Sequence, residues 1–183
     1  MKRILSEKLL KWKNSKRRKP LIIHGARQTG KTWLMTDFGK RYFTDTIYIS
    51  FDNNPEAAGV FEQDFDIKRI ISSLKIMHGR DFQAENTLII MDEIQECPKA
   101  LASLKYFCEN APEYYIVGAG SLLGLALHQG TSFPVGKVDF LHIYPMNFYE
   151  FVMAVESREL ADELVESFQF LMPYFDYFEW VRS

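Results

Sequence analysis

The sequence predicts an α/β fold in which a parallel five-stranded sheet lies between two layers of helices. Five apolar runs of strand length alternate with segments whose apolar residues recur at helical spacing. The run at residues 87–91 shows no apolar–polar alternation, which is typical of a strand buried on both faces of a parallel sheet. A glycine-rich stretch joins the first run to a helical segment. Right-handed crossovers between such strands build a three-layer sandwich.

The predicted elements follow one another along the whole chain. Strands are predicted at residues 21–23, 46–50, 87–91, 114–117 and 138–143. Helices are predicted from Trp33 to near Tyr42, from Ile67 to Gly79 behind Asp66 as N-cap, from Pro98 to Cys108, at 122–127, and after Asn147. Residues 51–55 are predicted to form a loop that ends at Pro55. Asn147 and Glu150 have the spacing of a capping box.

Length and composition are those of a globular protein. The chain has 183 residues, of which 47% are hydrophobic and 25% charged, enough for one domain with a sizeable core. No apolar run has the length of a membrane span, and no signal-peptide core follows Met1. We therefore expect a cytoplasmic protein with no membrane partner. Cys97, Cys108 and the four histidines lack metal-ligand spacing, so no metal centre is expected on them.

Charge divides the chain into three predicted regions. Residues 1–19 hold nine Lys or Arg and one acid, giving a net charge of +8 in a basic N-terminal helix. Such a helix could contact nucleic acid or an acidic partner. We favour a packed amphipathic helix that buries Ile4, Leu5, Leu9 and Trp12 and keeps its lysines in water. Residues 20–152 form the predicted core, and residues 153–183 an acidic, aromatic-rich tail.

A phosphate-binding motif follows the first strand. Residues 25–32 read Gly-Ala-Arg-Gln-Thr-Gly-Lys-Thr, which fits the P-loop pattern of Gly, four residues and Gly-Lys-Ser/Thr. Glycines let the backbone curl so that its N–H groups and the next helix N-terminus can hold phosphates. Lys31 is predicted to neutralise the β- and γ-phosphates, and Thr32 to offer its hydroxyl to Mg²⁺. The predicted nucleotide-binding residues are Gly25, Ala26, Arg27, Gln28, Thr29, Gly30, Lys31, Thr32 and Trp33.

Two acids end the third predicted strand. Asp92 and Glu93 follow four apolar residues and so lie at the sheet edge where doubly wound folds bind ligands. Asp92 is predicted to hold Mg²⁺, directly or through water, beside Thr32. Glu93 is predicted to orient and polarise an attacking water, which favours ATP hydrolysis over transfer to a bound acceptor.

Four motifs, taken in order, resemble one family. They are residues 25–32, Met-Asp-Glu-Ile-Gln at 91–95, Gly-Ala-Gly-Ser at 118–121 and Tyr-Pro-Met-Asn-Phe-Tyr-Glu-Phe at 144–151. Together they resemble the prokaryotic AAA-type ATPases, in which a C-terminal domain of unknown function follows the ATPase core. The resemblance implies a P-loop NTPase sandwich with strand order 5-1-4-3-2 and a generally unassigned physiological substrate. It also implies that Ser121 occupies the sensor position near the γ-phosphate. From the residues alone Ser121 is a helix N-cap, and one serine can serve both roles.

The chain departs from this family pattern at two places. Relatives often have Gly-Arg before the fifth strand, whereas this chain has Gly136 and Lys137, so no arginine-finger role is expected there. Arg27 faces either a phosphate or a partner, or else forms a surface salt bridge. Relatives also continue into a further domain, so we expect this chain to be a truncated product.

The C-terminal tail has an unusual composition. Residues 168–180 include seven aromatic side chains, a set that would promote association if it were exposed. We expect the tail to fold back onto the core, the alternative being that it covers a protein partner or a second copy. Residues 153–183 hold seven acids and two bases, which argues against a nucleic-acid platform.

The predicted function is that of an ATP-binding, Mg²⁺-dependent ATPase. Glu93, Lys31 and Ser121 are its predicted catalytic residues. The alternative is a nucleotide-binding switch, or an inactive fragment, with little turnover, because loss of an arginine finger lowers the rate by about 10³ to 10⁵. A nucleotide or small-molecule kinase is disfavoured because Glu93 would activate water and no Arg-rich lid is evident.

Overall fold

A five-stranded parallel sheet organises residues 5–145. The structure is a computed structural model that describes residues 5–121, 133–147, 150–152, 162–163 and 167. The strands are β1 (Leu21–Gly25), β2 (Asp45–Ser50), β3 (Thr87–Asp92), β4 (Tyr115–Ser121) and β5 (Asp139–His142). Their order is β2-β3-β4-β1-β5, and every neighbouring pair is parallel. This is the predicted order 5-1-4-3-2 counted from the other edge, so the predicted fold class is confirmed.

In the described part of the chain, five α-helices pack on the two faces of the sheet. They are α1 (Leu5–Lys13), α2 (Lys31–Tyr42), α3 (Pro55–Glu62), α4 (Ile67–Met77) and α5 (Pro98–Asn110). One apolar cluster joins α1 and α2 to the face of the sheet that carries Ile23 and Ile90. A second cluster joins α3, α4 and α5 to the opposite face, which carries Ile22 and Ile89. All six residues of β3 are buried, as expected for a strand with helices on both sides.

The basic N-terminal helix buries its apolar side. Leu9 and Trp12 of α1 belong to the same apolar cluster as β1 and α2, while Lys8 and Lys11 are exposed. The indole Nε1 of Trp12 donates a hydrogen bond to the carbonyl oxygen of Lys19, at 2.8 Å. The guanidinium of Arg18 lies 3.7 Å from the centre of the Tyr115 ring. Part of the basic segment therefore has structural contacts, and binding of nucleic acid there stays a prediction.

The prediction for residues 51–55 is wrong at its last residue. Pro55 is not part of the loop but begins α3, which suits proline because the first helical position has an N–H with no intrahelical partner in any case. The side chain of Asn54 caps this helix by accepting a hydrogen bond from the Ala57 N–H, at 3.0 Å. The predicted N-cap of α4 is confirmed, because Asp66 Oδ1 accepts from the Lys68 N–H, at 2.9 Å.

Residues 1–4 and 146–183 form a separate compact unit, of which few residues are described. The predicted capping box is present there: the Glu150 N–H donates to Asn147 Oδ1, at 2.8 Å, and the Asn147 N–H donates to Glu150 Oε2, at 3.3 Å. The predicted helix at 122–127 and the aromatic segment 168–180 lie outside the described residues, as does Ile4. Within the described part of the chain, no helix has the length and apolar character needed to cross a bilayer.

Candidate functional site

Strand register gathers the sequence motifs at one edge of the sheet. Gly25, at the end of β1, is in register with Ser121, at the end of β4. Asp92, at the end of β3, is in register with Ser50, at the end of β2. Because all the strands are parallel, their carboxyl ends meet at the same edge, which is where ligands bind in this type of fold.

The loop between β1 and α2 depends on two backbone positions in the left-handed region. Gln28 has φ 62° and Gly30 has φ 88°, the latter at the N-cap of α2. The Thr29 hydroxyl donates to the carbonyl oxygen of Ala26, at 2.9 Å, and so closes the loop on itself. Gly25 is needed for a different reason, since a Cβ there would overlap the carbonyl oxygen of Ile143. The first glycine of the motif is therefore required by packing, and the second by backbone conformation.

The N-terminus of α2 presents unpaired donors to this loop. The N-cap residue Gly30 has no side chain, and α2 has no capping hydrogen bond from a side chain. Over the described part of the chain, the backbone N–H groups of Gly30, Lys31, Thr32 and Trp33 have no hydrogen-bond acceptor. Four unpaired donors at the positive end of a helix dipole form a site for an anion such as a phosphate.

Lys31 places a buried cation beside the same loop. Its side chain is buried, and its Nζ donates to the carbonyl oxygens of Ala26, at 2.7 Å, and Gly25, at 3.3 Å. Among the described residues no carboxylate forms an ion pair with it. A buried charge that only carbonyl dipoles compensate is costly, so an anionic ligand would stabilise this arrangement.

The Asp92 carboxylate accepts three hydrogen bonds. Its Oδ2 accepts from the Thr32 hydroxyl at 2.6 Å and from the Tyr48 hydroxyl at 2.9 Å, while its Oδ1 accepts from the Glu93 N–H at 3.1 Å. Partial burial, and then the hydrogen bond to Asp92, raises the pKa of Tyr48 to about 12, so that this hydroxyl stays protonated and acts as a donor. Thr32 in α2 and Asp92 in β3 are thus joined directly.

Thr32 and Asp92 form a donor set that suits Mg²⁺. A hydroxyl has one proton, which Thr32 gives to Asp92, and two lone pairs that remain available to a cation. Mg²⁺ is commonly held by one or two protein oxygen ligands together with substrate phosphates rather than by a cage of protein ligands. In keeping with this, the described residues include no cluster of three or more His, Cys, Asp or Glu that could hold a metal by itself.

Glu93 is held in an uncommon conformation. Its φ is 50°, in the left-handed region, and its Oε2 accepts a hydrogen bond from Gln95 Nε2 at 2.6 Å. Gln95 is buried, and its Oε1 has no partner within the described region. A non-glycine residue in this backbone region costs free energy, and such residues are concentrated at functional sites.

The remaining predicted site residues differ in their surroundings. Ser121 lies at the end of β4 opposite Gly25, and Trp33 lies in the first turn of α2. Arg27 is exposed and forms no ion pair with another described residue. Lys137 pairs with Glu109 at 2.8 Å, and the hydrogen bond that its ammonium donates to this carboxylate raises the pKa of Lys137. The cation before β5 is therefore bound to α5.

Two contacts at the site involve residues that the sequence reasoning did not single out, Tyr48 and Gln95. Tyr48 stands between two buried isoleucines in a predicted strand, and its polar tip could have marked it as a residue facing the sheet edge. Gln95 is the last residue of the motif Met-Asp-Glu-Ile-Gln at 91–95. Nothing in that motif indicates that the Gln95 side chain is buried.

Two comparisons with known proteins bear on the chain. A family model described as an AAA domain matches residues 17–152, more than half of the chain. No curated protein matches the chain.

Proposed function

The chain belongs to the AAA domain family, a nucleotide-binding family, and from this we propose that it is a Mg²⁺-dependent ATPase that converts ATP to ADP and phosphate. Its physiological substrate is unassigned. The observation that carries the proposal is the 2.6 Å hydrogen bond between Thr32 and Asp92. This bond joins α2, which follows the glycine-rich loop, to the acid pair, and so supports a single site for phosphates, a metal and a water.

Phosphate binding is proposed to rest on Lys31 and the N-terminus of α2. The Lys31 ammonium would give up part of its contact with Ala26 to meet the β- and γ-phosphates. The free N–H groups at the start of α2 would donate to the same anion without any rearrangement of the helix. Because these donors are already in place, little reorganisation accompanies the reaction.

Metal binding is proposed to rest on Thr32 and Asp92. Thr32 would use the lone pairs of its hydroxyl, and Asp92 would supply negative charge directly or through a water. When bound, Mg²⁺ would neutralise charge on the β- and γ-phosphate oxygens. The role of the protein is to keep these two oxygen groups together beside the loop.

Glu93 is proposed to orient and polarise the attacking water, and Ser121 to sense the γ-phosphate. Glu93 directly follows Asp92, so its carboxylate lies at the same sheet edge as the proposed metal site. Its bond to Gln95 Nε2 fixes the direction of the carboxylate and leaves the other oxygen, Oε1, for a water. Ser121 belongs to the strand that flanks Gly25, which supports a role near the last phosphate.

Single-turnover hydrolysis of ATP, measured alongside ATP binding, tests this proposal. We expect Glu93→Gln to bind ATP as the unchanged protein does and to lose hydrolysis by about 10²-fold or more, the usual scale for a general base. Glu85→Gln makes the same change on an exposed residue just before β3, at the opposite end of that strand from Asp92, and should leave the rate within about twofold, since an exposed side chain away from reacting atoms has little effect. Equal rates in Glu93→Gln and the unchanged protein would refute the assignment of Glu93.

A second candidate function is a nucleotide-binding switch with little turnover. One contact favours it: Lys137, the cation before β5, is already paired with Glu109. A site without a mobile cation near the γ-phosphate would bind ATP far better than it would hydrolyse it. Tight ATP binding with no burst of product in single-turnover conditions would identify this second function.

A further inference from the structure

The hydroxyl of Tyr48 makes a contact with the proposed metal site that the mechanism above does not use. Asp92 is held by donors from three segments: Thr32 in α2, the backbone N–H of Glu93, and Tyr48 in β2. Tyr48 is the one side chain from β2 that donates to this carboxylate. Within the described part of the chain, its hydroxyl also interacts with the Ser50 side chain, but it forms no hydrogen bond with the glycine-rich loop or with Glu93.

The strand register explains how this side chain reaches Asp92. Tyr48 pairs with Ile90, and Ser50 pairs with Asp92, so Tyr48 stands two residues before the carboxyl end of its strand. Residues two apart on a strand share a face, and side chains in strands lean along the strand direction. The phenol ring of Tyr48 therefore extends past Ile90, the residue opposite it on β3, toward Asp92. Its oxygen lies 2.9 Å from Asp92 Oδ2.

The hydroxyl is not needed to fill the fold. The Tyr48 side chain is 40% exposed, while its neighbours Ile47 and Ile49 are buried on the opposite face. A phenol has one proton to donate, and here it goes to Asp92. A phenylalanine would keep the ring and its packing, and would lose this hydrogen bond together with the interaction of the hydroxyl with the Ser50 side chain.

We propose that Tyr48 is a positioning residue that fixes the Asp92 carboxylate for a divalent cation. This inference rests on the proposed function, because it concerns the same metal site. The Oδ2 atom that receives the Tyr48 proton is the one that receives the Thr32 proton. Losing Tyr48 leaves this oxygen with one donor, so the carboxylate can turn away from Thr32. Hydrogen-bond partners of metal-binding groups typically contribute about 10- to 100-fold in metal affinity or activity.

The test is the Mg²⁺ dependence of ATP binding in Tyr48→Phe, measured as equilibrium binding in EDTA and over a Mg²⁺ titration. We expect the affinity for ATP in EDTA to be unchanged, because the loop and Lys31 are intact. We expect the Mg²⁺ concentration that gives half of the metal-dependent gain to rise by about tenfold or more.

Tyr42→Phe is a matched control. It removes the same atom from a tyrosine of similar exposure, 37% against 40%, whose ring packs on Phe38 and whose hydroxyl has no hydrogen bond to another described residue. It should titrate like the unchanged protein.

The outcomes separate this inference from the function on which it rests. If Tyr48→Phe titrates like the unchanged protein, the positioning role is wrong while the proposed metal site stands. If Tyr48→Phe loses ATP affinity in EDTA together with thermal stability, its role is structural and the inference is also wrong. If the unchanged protein binds ATP without any Mg²⁺ dependence, the proposed metal site itself fails and the inference fails with it.

Discussion

Replacing Gly25 by alanine tests how tightly the glycine-rich loop is packed into the sheet. A Cβ at this position would overlap the carbonyl oxygen of Ile143 and would lie 2.8 Å from its Cγ2 and 3.3 Å from its carbonyl carbon. The Ile143 N–H donates to the carbonyl oxygen of His24, at 2.9 Å, so this backbone cannot move away without breaking a bond between β1 and the end of β5. The overlap therefore has to be relieved by the backbone rather than by a side-chain rotation.

Gly25→Ala should lower the free energy of unfolding by about 2–3 kcal/mol, the upper part of the range for overpacked positions. For a protein of this length, that lowers the melting temperature by about 4–12 °C. Gly59→Ala is the control, since nothing lies within 4 Å of a Cβ there and Gly59 is inside α3. It should raise stability by about 0.5–1 kcal/mol, the helix preference for alanine over glycine. Urea and thermal unfolding measure both changes, and an equal or higher stability for Gly25→Ala would refute the packing argument.

Two further predictions concern stability. Asn54→Ala should lower the free energy of unfolding by about 1 kcal/mol, because α3 loses the N-cap hydrogen bond between Asn54 and the Ala57 N–H. Urea unfolding measures this change, and an unchanged free energy of unfolding would contradict the prediction. Burial, and then the charge of His142, lowers the pKa of His24 below 6.5, so the folded protein binds fewer protons than the unfolded chain. Stability should fall as the pH drops below 6.5, and His24→Gln should reduce that fall between pH 7.5 and 5.5; an identical fall in both proteins would contradict this.

The features that the sequence predicted well depend on residues that are close together in the sequence. β3 could be predicted because an unbroken apolar run of this length is typical of a strand buried on both faces of a sheet. The glycine-rich loop could be predicted because its motif is short and the spacing of its residues is specific. Asp92 was predicted to lie beside Thr32 because it ends a strand at the edge of the sheet where ligands bind. The structure brings these two residues to hydrogen-bond distance. The strand order was predicted from the family resemblance, because the spacing of apolar residues carries no information about which strands are neighbours in the sheet.

The features that were missed depend on contacts between distant segments. Tyr48 reaches Asp92 only because β2 and β3 are neighbours in a definite register, and Gly25 is confined by Ile143 only because β5 lies beside β1. α3 was missed for a local reason: Asn53, Asn54 and Pro55 together indicate a loop, although proline is equally suited to the first turn of a helix. With only eight residues, α3 also has too few turns to show a clear apolar period.

Equilibrium binding of ATP to Lys31→Ala tests the central claim most directly. The buried Lys31 ammonium has no carboxylate partner among the described residues, so its removal should weaken ATP binding strongly, by about 10²-fold or more for a charged contact with phosphate. Lys40→Ala removes an exposed lysine from the same helix and should bind ATP as the unchanged protein does. Unchanged affinity in Lys31→Ala, with the fold intact by thermal unfolding, would contradict the claim that the loop between β1 and α2 holds the phosphates of ATP.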